Sequence, residues 1–293
     1  MTRRRLDAEL VRRGLVTSRE QGRAAIEEGR VTVAGNTATK AASQVDDASA
    51  IELREAPESR YVSRGAHKLI GALDAFGVDV TGVDALDAGA STGGFTQVLL
   101  ERGAARVLAV DVGYGQLAWP LRSDERVTVL ERTNVRYLGD IGGVGRLGAS
   151  DGEGDESVRL PFTPNLVVAD LSFISLRLVL PALVAVAGSD ADFLLMVKPQ
   201  FEVGKESVGS GVVTDPGLRI EAVSSVADAA RDLGLGICGC VASPLPGPKG
   251  NVEYFLWMKQ AEGDASTDSG NDVRMDAAAT HAAIVKAVEE GPQ

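Results

Sequence analysis

Four charged residues far apart in the chain have types and settings that could do chemistry together: Lys68, Asp170, Lys198 and Glu253. Asp170 ends the apolar run Asn165-Leu-Val-Val-Ala-Asp170, and Lys198 ends Asp192-Phe-Leu-Leu-Met-Val-Lys198. Glu253 opens Tyr254-Phe-Leu-Trp-Met258, and Lys68 lies on a helical stretch from His67 to Phe76. Runs of this kind read as buried strands, and in an open α/β sheet ligands sit beyond the carboxyl ends of the parallel strands. If the run from Tyr254 is antiparallel, its start reaches the same rim. Two amines and two acids around one pocket suit the activation of a hydroxyl, which titrates far above neutrality and needs a base or a stabilised alkoxide. A buried lysine beside a second cation gives up its proton more readily, while nearby carboxylates oppose that loss and hold the side chain. Lys198 is therefore expected to be the base or the alkoxide stabiliser, steered by Glu253 and Lys68, with Asp170 positioning it. For any one of these residues alone, an ordinary surface ion pair is the better reading. Three strand ends on one predicted rim argue against it.

A second constellation is the turn Asp87-Ala-Gly-Ala-Ser-Thr-Gly-Gly-Phe-Thr96, set between an apolar strand and the helical stretch Gln97 to Arg102. Glycines there let backbone N–H groups at a helix N-terminus approach a ligand. Asp111 follows Gly89 by twenty-two residues and ends the next strand, where a carboxylate accepts both hydroxyls of an adenosyl ribose. This order fits either a dinucleotide or S-adenosylmethionine. Two details favour the second. Ser91 stands where a pyrophosphate cradle has its next glycine, and Asp87 would repel a pyrophosphate but suits a sulfonium ligand bearing an ammonium group. The expected cofactor is S-adenosylmethionine, bound by Asp87, Gly89, Ala90, Ser91, Thr92, Gly93, Gly94, Phe95, Asp111, Val112 and Asp170. A nucleotide-dependent oxidoreductase is the alternative.

These residues need a scaffold. Short β-branched runs at Ala85–Asp87, Arg106–Asp111, Val127–Leu130, Asn165–Asp170, Asp192–Lys198, Ile237–Val241 and Tyr254–Met258 alternate with amphipathic helices. That pattern predicts a Rossmann-like α/β domain over 65–260, with a seven-stranded, mostly parallel sheet. Ahead of it, 1–58 reads as a small α+β unit, and 59–64 as a linker. Leu6, Leu10, Val11 and Leu15 share a helical face ended near Gly14, Thr17 or Ser18 caps a second helix ended by Gly29, and strands follow at 31–33, 37–39 and 50–53. Residues 139–157, rich in glycine and acid, read as a flexible insertion. Residues 261–293 read as an acidic, disordered tail, with a short helix around 277–288.

The net charge of −11 over 293 residues argues at first against a polyanionic partner. Its distribution argues otherwise: residues 1–30 carry +3, residues 151–157 carry −4 and the tail from Ala261 carries −5. Local charge governs phosphate binding more than the total does. Arg3, Arg5, Arg19, Arg23 and Lys40, continued by Arg64, Arg132 and Arg136, are expected to track an RNA backbone, although each taken singly reads as a solvated surface charge. Phe173 and Tyr114 could stack on a base or on adenine, with core packing the competing reading. Trp119 and Trp257 read as packing. Cys238, Cys240, His67 and His281 are too few for a structural metal, and none is expected. No apolar segment follows the basic start, and the longest apolar run, 176–187, is too short to span a bilayer, so a cytoplasmic protein without membrane contact is expected.

The residues Arg5-Leu6-Asp7, Thr17-Ser18-Arg19, Gly29-Arg30-Val31-Thr-Val33 and Gly35 resemble the S4 RNA-binding module. Lys68, Asp170, Lys198 and Glu253 resemble the Lys-Asp-Lys-Glu tetrad of ribose 2′-O-methyltransferases of the FtsJ (RrmJ) type. With Ser63-Arg-Gly-Ala-His-Lys-Leu69, Asp170-Leu-Ser-Phe-Ile-Ser175, Lys198-Pro-Gln-Phe201 and Ser243-Pro-Leu-Pro-Gly-Pro-Lys-Gly-Asn251, the span from Met1 to Lys259 is similar to the TlyA family, members of which are also labelled haemolysins. The resemblance implies S-adenosylmethionine-dependent 2′-O-methylation of cytidine in 16S and 23S rRNA, which affects sensitivity to capreomycin- and viomycin-type antibiotics. Ribosomal RNA within subunits is then the partner, and the target nucleotide must leave its stack to reach the pocket. Which subunits are modified and the oligomeric state stay open. Two rival readings remain: a membrane-lytic protein, for which no spanning or basic amphipathic pattern is found, and an S4 protein with an inactive α/β domain, against which the intact tetrad argues.

Overall fold

The computed structural model describes residues 3–16, 18–27, 29–54, 60–138, 160–204, 211–247, 250–260 and 273–292. The chain divides into two units, Met1–Arg60 and Tyr61–Gln293. In the first, β1 (Arg4–Arg5), α1 (Leu6–Arg12) and α2 (Arg19–Glu27) precede β2 (Val31–Val33), β3 (Asn36–Thr37), β4 (Gln44–Val45) and β5 (Ile51–Leu53). Ser18 Oγ accepts the Gln21 N–H at 3.1 Å and caps α2. Gly14 and Gly29, at φ 69° and 67°, supply the left-handed backbone that ends each helix. β3, β2 and β5 form one small sheet, and β1 pairs with β4 in a ribbon too short to leave an alternating pattern in the sequence. Leu15, expected on the buried face, is exposed, and Val16 fills the core with Leu6, Leu10, Ala25 and Ile26. The cause is local: the helix has already ended at Arg12, so helical spacing no longer applies.

The second unit runs α3 (Gly65–Phe76), β6 (Asp84–Ala88), α4 (Gly94–Glu101), β7 (Arg106–Val110), α5 (Trp119–Arg122), β8 (Val127–Leu130), a 3-10 turn (Val135–Tyr137), β9 (Leu166–Ala169) and α6 (Leu176–Val186). It continues with β10 (Asp192–Val197), α7 (Pro199–Glu202), α8 (Pro216–Asp232), β11 (Leu235–Ala242), β12 (Tyr254–Gln260) and α9 (Ala277–Glu290). Seven strands form one sheet in the order β11-β12-β10-β9-β6-β7-β8. β12 is antiparallel to both neighbours, and the remaining pairs are parallel. The inner strands are apolar on both faces because both are covered. Leu86, Leu108, Val167 and Phe193 pack beneath α6, α8 and α9, while Val107, Val168, Leu194 and Met196 pack beneath α3 and α4.

Three expectations are corrected. The short helix expected around 277–288 is present as α9, but the disorder expected around it does not extend to 273–292: α9 buries Thr280, Ile284, Ala287 and Val288 against the sheet, and the Met275 N–H donates to the Ile237 carbonyl at 2.7 Å. Its alanines let the helix sit close to β11, which a count of nearby acids conceals. The predicted linker residues 61–64 belong to the second unit, where the Val62 N–H donates to Gln97 Oε1 at 2.9 Å and the Tyr61 ring meets His67 edge-on at 5.2 Å. Trp119 lies on the surface, 74% exposed, whereas Trp257 packs on Phe76 and donates to Asp192. The predicted insertion 139–157 and the stretch 261–272 lie outside the described residues.

Candidate active site

Sheet register brings the charged residues to one rim. Ala88 pairs with both Val110 and Ala169, so Gly89, Asp111 and Asp170 follow strands that end at one level; β10 runs two residues past Leu195, which lies opposite Ala169, and Lys198 follows its end at Val197, paired with Tyr254. Because β12 is antiparallel, its first residue rather than its last lies on that rim, and Glu253 stands immediately before it. The strand order reverses between β6 and β9, which places the turn after β6 at the switch point where open sheets bind ligands. Lys68 enters from α3, buried beside Leu69 and Ala72, with its Nζ 3.7 Å from Met196 Sδ.

The four side chains form a connected series. Lys198 Nζ lies 2.6 Å from Asp170 Oδ1, Lys68 Nζ lies 3.6 Å from Asp170 Oδ2, and Lys68 donates to Glu253 Oε2 at 2.6 Å. Lys198 also donates to Ser172 Oγ at 2.9 Å. Burial acts to raise the Asp170 carboxyl, but the two ammonium groups outweigh it and hold the group below the usual carboxylate range. Burial acts to lower Lys68, and Asp170 and Glu253 outweigh it, so Lys68 remains a fixed cation. Glu253 therefore acts through Lys68 and Asp170 and does not touch Lys198, a more indirect arrangement than expected from the sequence. Gly247 makes room for Glu253: a Cβ added there would fall on the carboxylate.

The glycine turn fits a ligand with an ammonium group and an adenosyl ribose. Asp87 is fully buried, and burial pushes its carboxyl up to about 7. One of its oxygens accepts from Thr96 Oγ1 at 2.7 Å, and the other has no hydrogen-bond partner among the described residues. A group this costly to bury without a partner points to a cationic ligand nearby. Gly89 (φ 88°) must be glycine, because a Cβ would lie 3.0 Å from the Asp170 carbonyl oxygen. A cleft of about 280 Å³ is lined by Gly89, Ala90, Ser91, Thr92, Gly94 and Phe95 on one side and by Lys68, Asp170, Ser172 and Lys198 on the other. Asp111 sits by a smaller adjoining hollow, accepting the Ser91 N–H at 2.9 Å and the Gly113 N–H at 2.7 Å.

Three expected cofactor residues line neither hollow: Asp87, which is fully buried, Val112 and Gly93. Val112 is 67% exposed, and Gly113 and Gln116 line the hollow beside Asp111 instead. Gly93 packs against Leu117 and Leu121 and shapes the turn from behind. Ser63, Ser172, Leu245 and Pro246 line the cleft too; the sequence places them in family-like blocks but gives none of them a site role. Ser172 was legible as the neighbour of a strand-ending acid, whereas Leu245 and Pro246 carry no chemical signal of their own. Among the described residues no group of His, Cys, Asp or Glu is arranged to hold a metal.

The basic residues are arranged rather than scattered. Within the first unit, Arg5, Arg19 and Arg23 converge on the buried Asp7 at 3.0, 3.0 and 3.4 Å, while Arg12 and Arg13 meet the buried Glu9. Arg3 and Lys40 are exposed. Within the second unit, Arg64 lines the cleft, Arg132 lies 4.3 Å over the exposed Tyr114 ring, and Arg136 lies 5.9 Å over Tyr137. Phe173 is 91% exposed, with backbone at φ 67° and its ring 5.5 Å from Phe201.

A Rossmann-like sheet with an antiparallel penultimate strand, an acid–glycine turn at its switch point and a Lys-Asp-Lys-Glu series on the same rim define a methyltransferase domain. A family model described as FtsJ-like methyltransferase matches residues 61–260, and an S4 domain model matches residues 4–51. The chain is 52% identical over 291 residues, 99% of each chain, to the 16S/23S rRNA (cytidine-2′-O)-methyltransferase TlyA of Mycobacterium tuberculosis. It is 34% identical to Hemolysin A of Brachyspira hyodysenteriae, covering 86% of this chain and 98% of that one. A solved structure from Streptococcus thermophilus that carries a hemolysin name aligns with a TM-score of 0.67 at 33% identity, covering 99% of this chain and 97% of that one. This chain belongs to the FtsJ-like methyltransferase family, in its S4-bearing TlyA branch.

Proposed function

We propose that this protein is a cytoplasmic, S-adenosylmethionine-dependent methyltransferase that modifies the ribose 2′-hydroxyl of cytidine in ribosomal RNA. The observation that carries the reading is Lys198, paired with Asp170 and Ser172, facing the glycine turn across one cleft. Asp87, the Gly89 turn and Asp111 would hold S-adenosylmethionine, which when bound would supply an activated methyl group. Lys198 takes the proton from the ribose hydroxyl or holds the charge that develops on its oxygen. Lys68 is already engaged by two acids and serves as the fixed cation that keeps Asp170 ionised and aimed at Lys198. Phe173 offers a flipped-out base a stacking surface at the rim. Arg3, Arg5, Arg19, Arg23 and Lys40 hold the RNA backbone at the S4 domain, and Arg64, Arg132 and Arg136 hold phosphates at the methyltransferase domain.

Support for rRNA as substrate comes from the S4 domain and from the activity named for the Mycobacterium tuberculosis relative. Other relatives carry hemolysin names; among the described residues no helix is long and apolar enough to cross a membrane. The test is transfer of labelled methyl from S-adenosylmethionine to purified ribosomal subunits, with the 2′-O-methyl positions mapped on both rRNAs. Label on a cytidine ribose supports the reading; label on a base or on protein overturns it.

A further inference from the structure

Glu202 is a buried carboxylate that neither the cofactor cleft nor the Lys-Asp-Lys-Glu series uses. It sits at the end of α7, four residues beyond Lys198, and its side chain is 1% exposed. Its Oε2 accepts from Ser175 Oγ at 2.5 Å, and its Oε1 accepts the Leu176 N–H at 2.7 Å. Arg177 reaches the same carboxylate at 3.4 Å and donates to the Glu202 carbonyl at 3.1 Å. Glu202 thus caps the first turn of α6 from outside that helix, where a negative charge meets unpaired N–H groups.

The cap joins two segments that each carry reaction groups. The loop from β9 to α6 holds Asp170, Ser172 and Phe173; the segment from β10 through α7 holds Lys198 and Phe201. They meet at three levels: Lys198 with Asp170 and Ser172 at the cleft, the Phe173 and Phe201 rings at the rim, and Glu202 with Ser175, Leu176 and Arg177 at the far end. Strands β9 and β10 fix the first end of this zip through Leu195 pairing with Ala169. Glu202 fixes the other, so the loop between is clamped at both ends. That clamp holds Phe173 in a left-handed backbone conformation that a phenylalanine rarely adopts.

We propose that Glu202 is a positioning residue for methyl transfer. It acts by length and hydrogen-bond reach rather than by charge, setting the register of the Asp170–Ser175 loop against Lys198. The inference rests on the methyltransferase reading. Small misplacements of reacting groups cost on the order of a hundredfold in rate even when they originate away from the chemistry.

The experiment compares E202Q, E202D and E202A in the full chain, with I284A in α9 as a control that destabilises the fold at a distance. Glutamine keeps the length and the acceptor for Leu176; aspartate keeps the charge but falls short. Expected results are an E202D kcat reduced at least tenfold, E202Q within threefold of wild type, and cofactor Kd within twofold for both. I284A at a matched loss of Tm should keep kcat within twofold. If E202D is active and E202Q is not, or if I284A loses rate equally, the positioning role is overturned. E202A failing to fold leaves the Gln/Asp contrast intact. Absence of methyl transfer by the wild-type protein would instead sink the methyltransferase reading. In that case hydrogen exchange decides the clamp by itself: faster exchange across 171–176 in E202D supports it, and unchanged exchange overturns it.

Discussion

Lys198 and Asp170 stand 2.6 Å apart at the ends of adjacent parallel strands, and the other oxygen of the same carboxylate faces Lys68. The two lysines are therefore not equivalent. Lys68 is held by two acids, whereas Lys198 is held by one acid and the Ser172 hydroxyl. Lys68 is thus the more tightly held cation of the two.

Removing Lys68 should expose how much Glu253 depends on it. K68M leaves Glu253 buried without its cation, and breaking a buried pair this way costs about 3–5 kcal/mol. Adding E253Q should recover more than half of that loss, because the stranded charge is then gone. Urea denaturation of both variants measures the difference; equal instability of the single and double variants would contradict the pairing.

Asp87 should leave a mark on the pH dependence of stability. Its carboxyl is raised to about 7 in the fold, above its value in the unfolded chain. The native state then holds a proton that the unfolded chain releases, so stability falls as pH rises from about 4 to about 7. The total loss is about 4 kcal/mol, and D87N should remove it. Tm of the cofactor-free protein at pH 5 and pH 8 checks the sign: the wild-type value should drop relative to D87N, and parallel curves would refute the assignment.

Gly247 should tolerate no side chain, since a Cβ there meets the Glu253 carboxylate. G247A is expected to displace Glu253 from Lys68 and reduce methyl transfer at least tenfold. Gly250, where a Cβ meets nothing within 4 Å, is the comparison. Its own positive φ of 87° makes alanine there cost stability, but G250A should keep the Glu253–Lys68 pair and most of the activity. Similar loss of activity in both variants would count against a role for space at 247.

The arginines that converge on Asp7 should act as phosphate contacts. R19A is expected to weaken binding to rRNA fragments about equally across sequences and to lower the slope of log K against log salt by about 1. Binding measured from 50 to 300 mM salt tests this, and an unchanged slope would make Arg19 a structural partner of Asp7 only.

Much of the rim was legible because Asp170 and Lys198 end apolar runs and a charge there has nowhere to go but a strand end. Glu253 was legible only conditionally, since its place depends on β12 running antiparallel, which composition does not reveal. Glu202 was invisible for a different reason: it hydrogen-bonds to Ser175 and Leu176, residues 27 and 26 positions away, and no spacing rule links them. The α9 contact was masked by the acidic stretch before it, although Ile284 and Val288 recur at helical spacing. Val112 is exposed outside both hollows, since position in the sequence after Asp111 does not say which way the chain turns.

Under the proposed function, Lys198 acts on the substrate oxygen and not on the cofactor. Calorimetry of S-adenosylmethionine binding beside single-turnover methyl transfer to ribosomal subunits, both on K198A, tests it most directly. Cofactor affinity is expected to stay within about threefold of wild type, and transfer to fall by a factor on the order of a thousand. Transfer at the wild-type rate would contradict it.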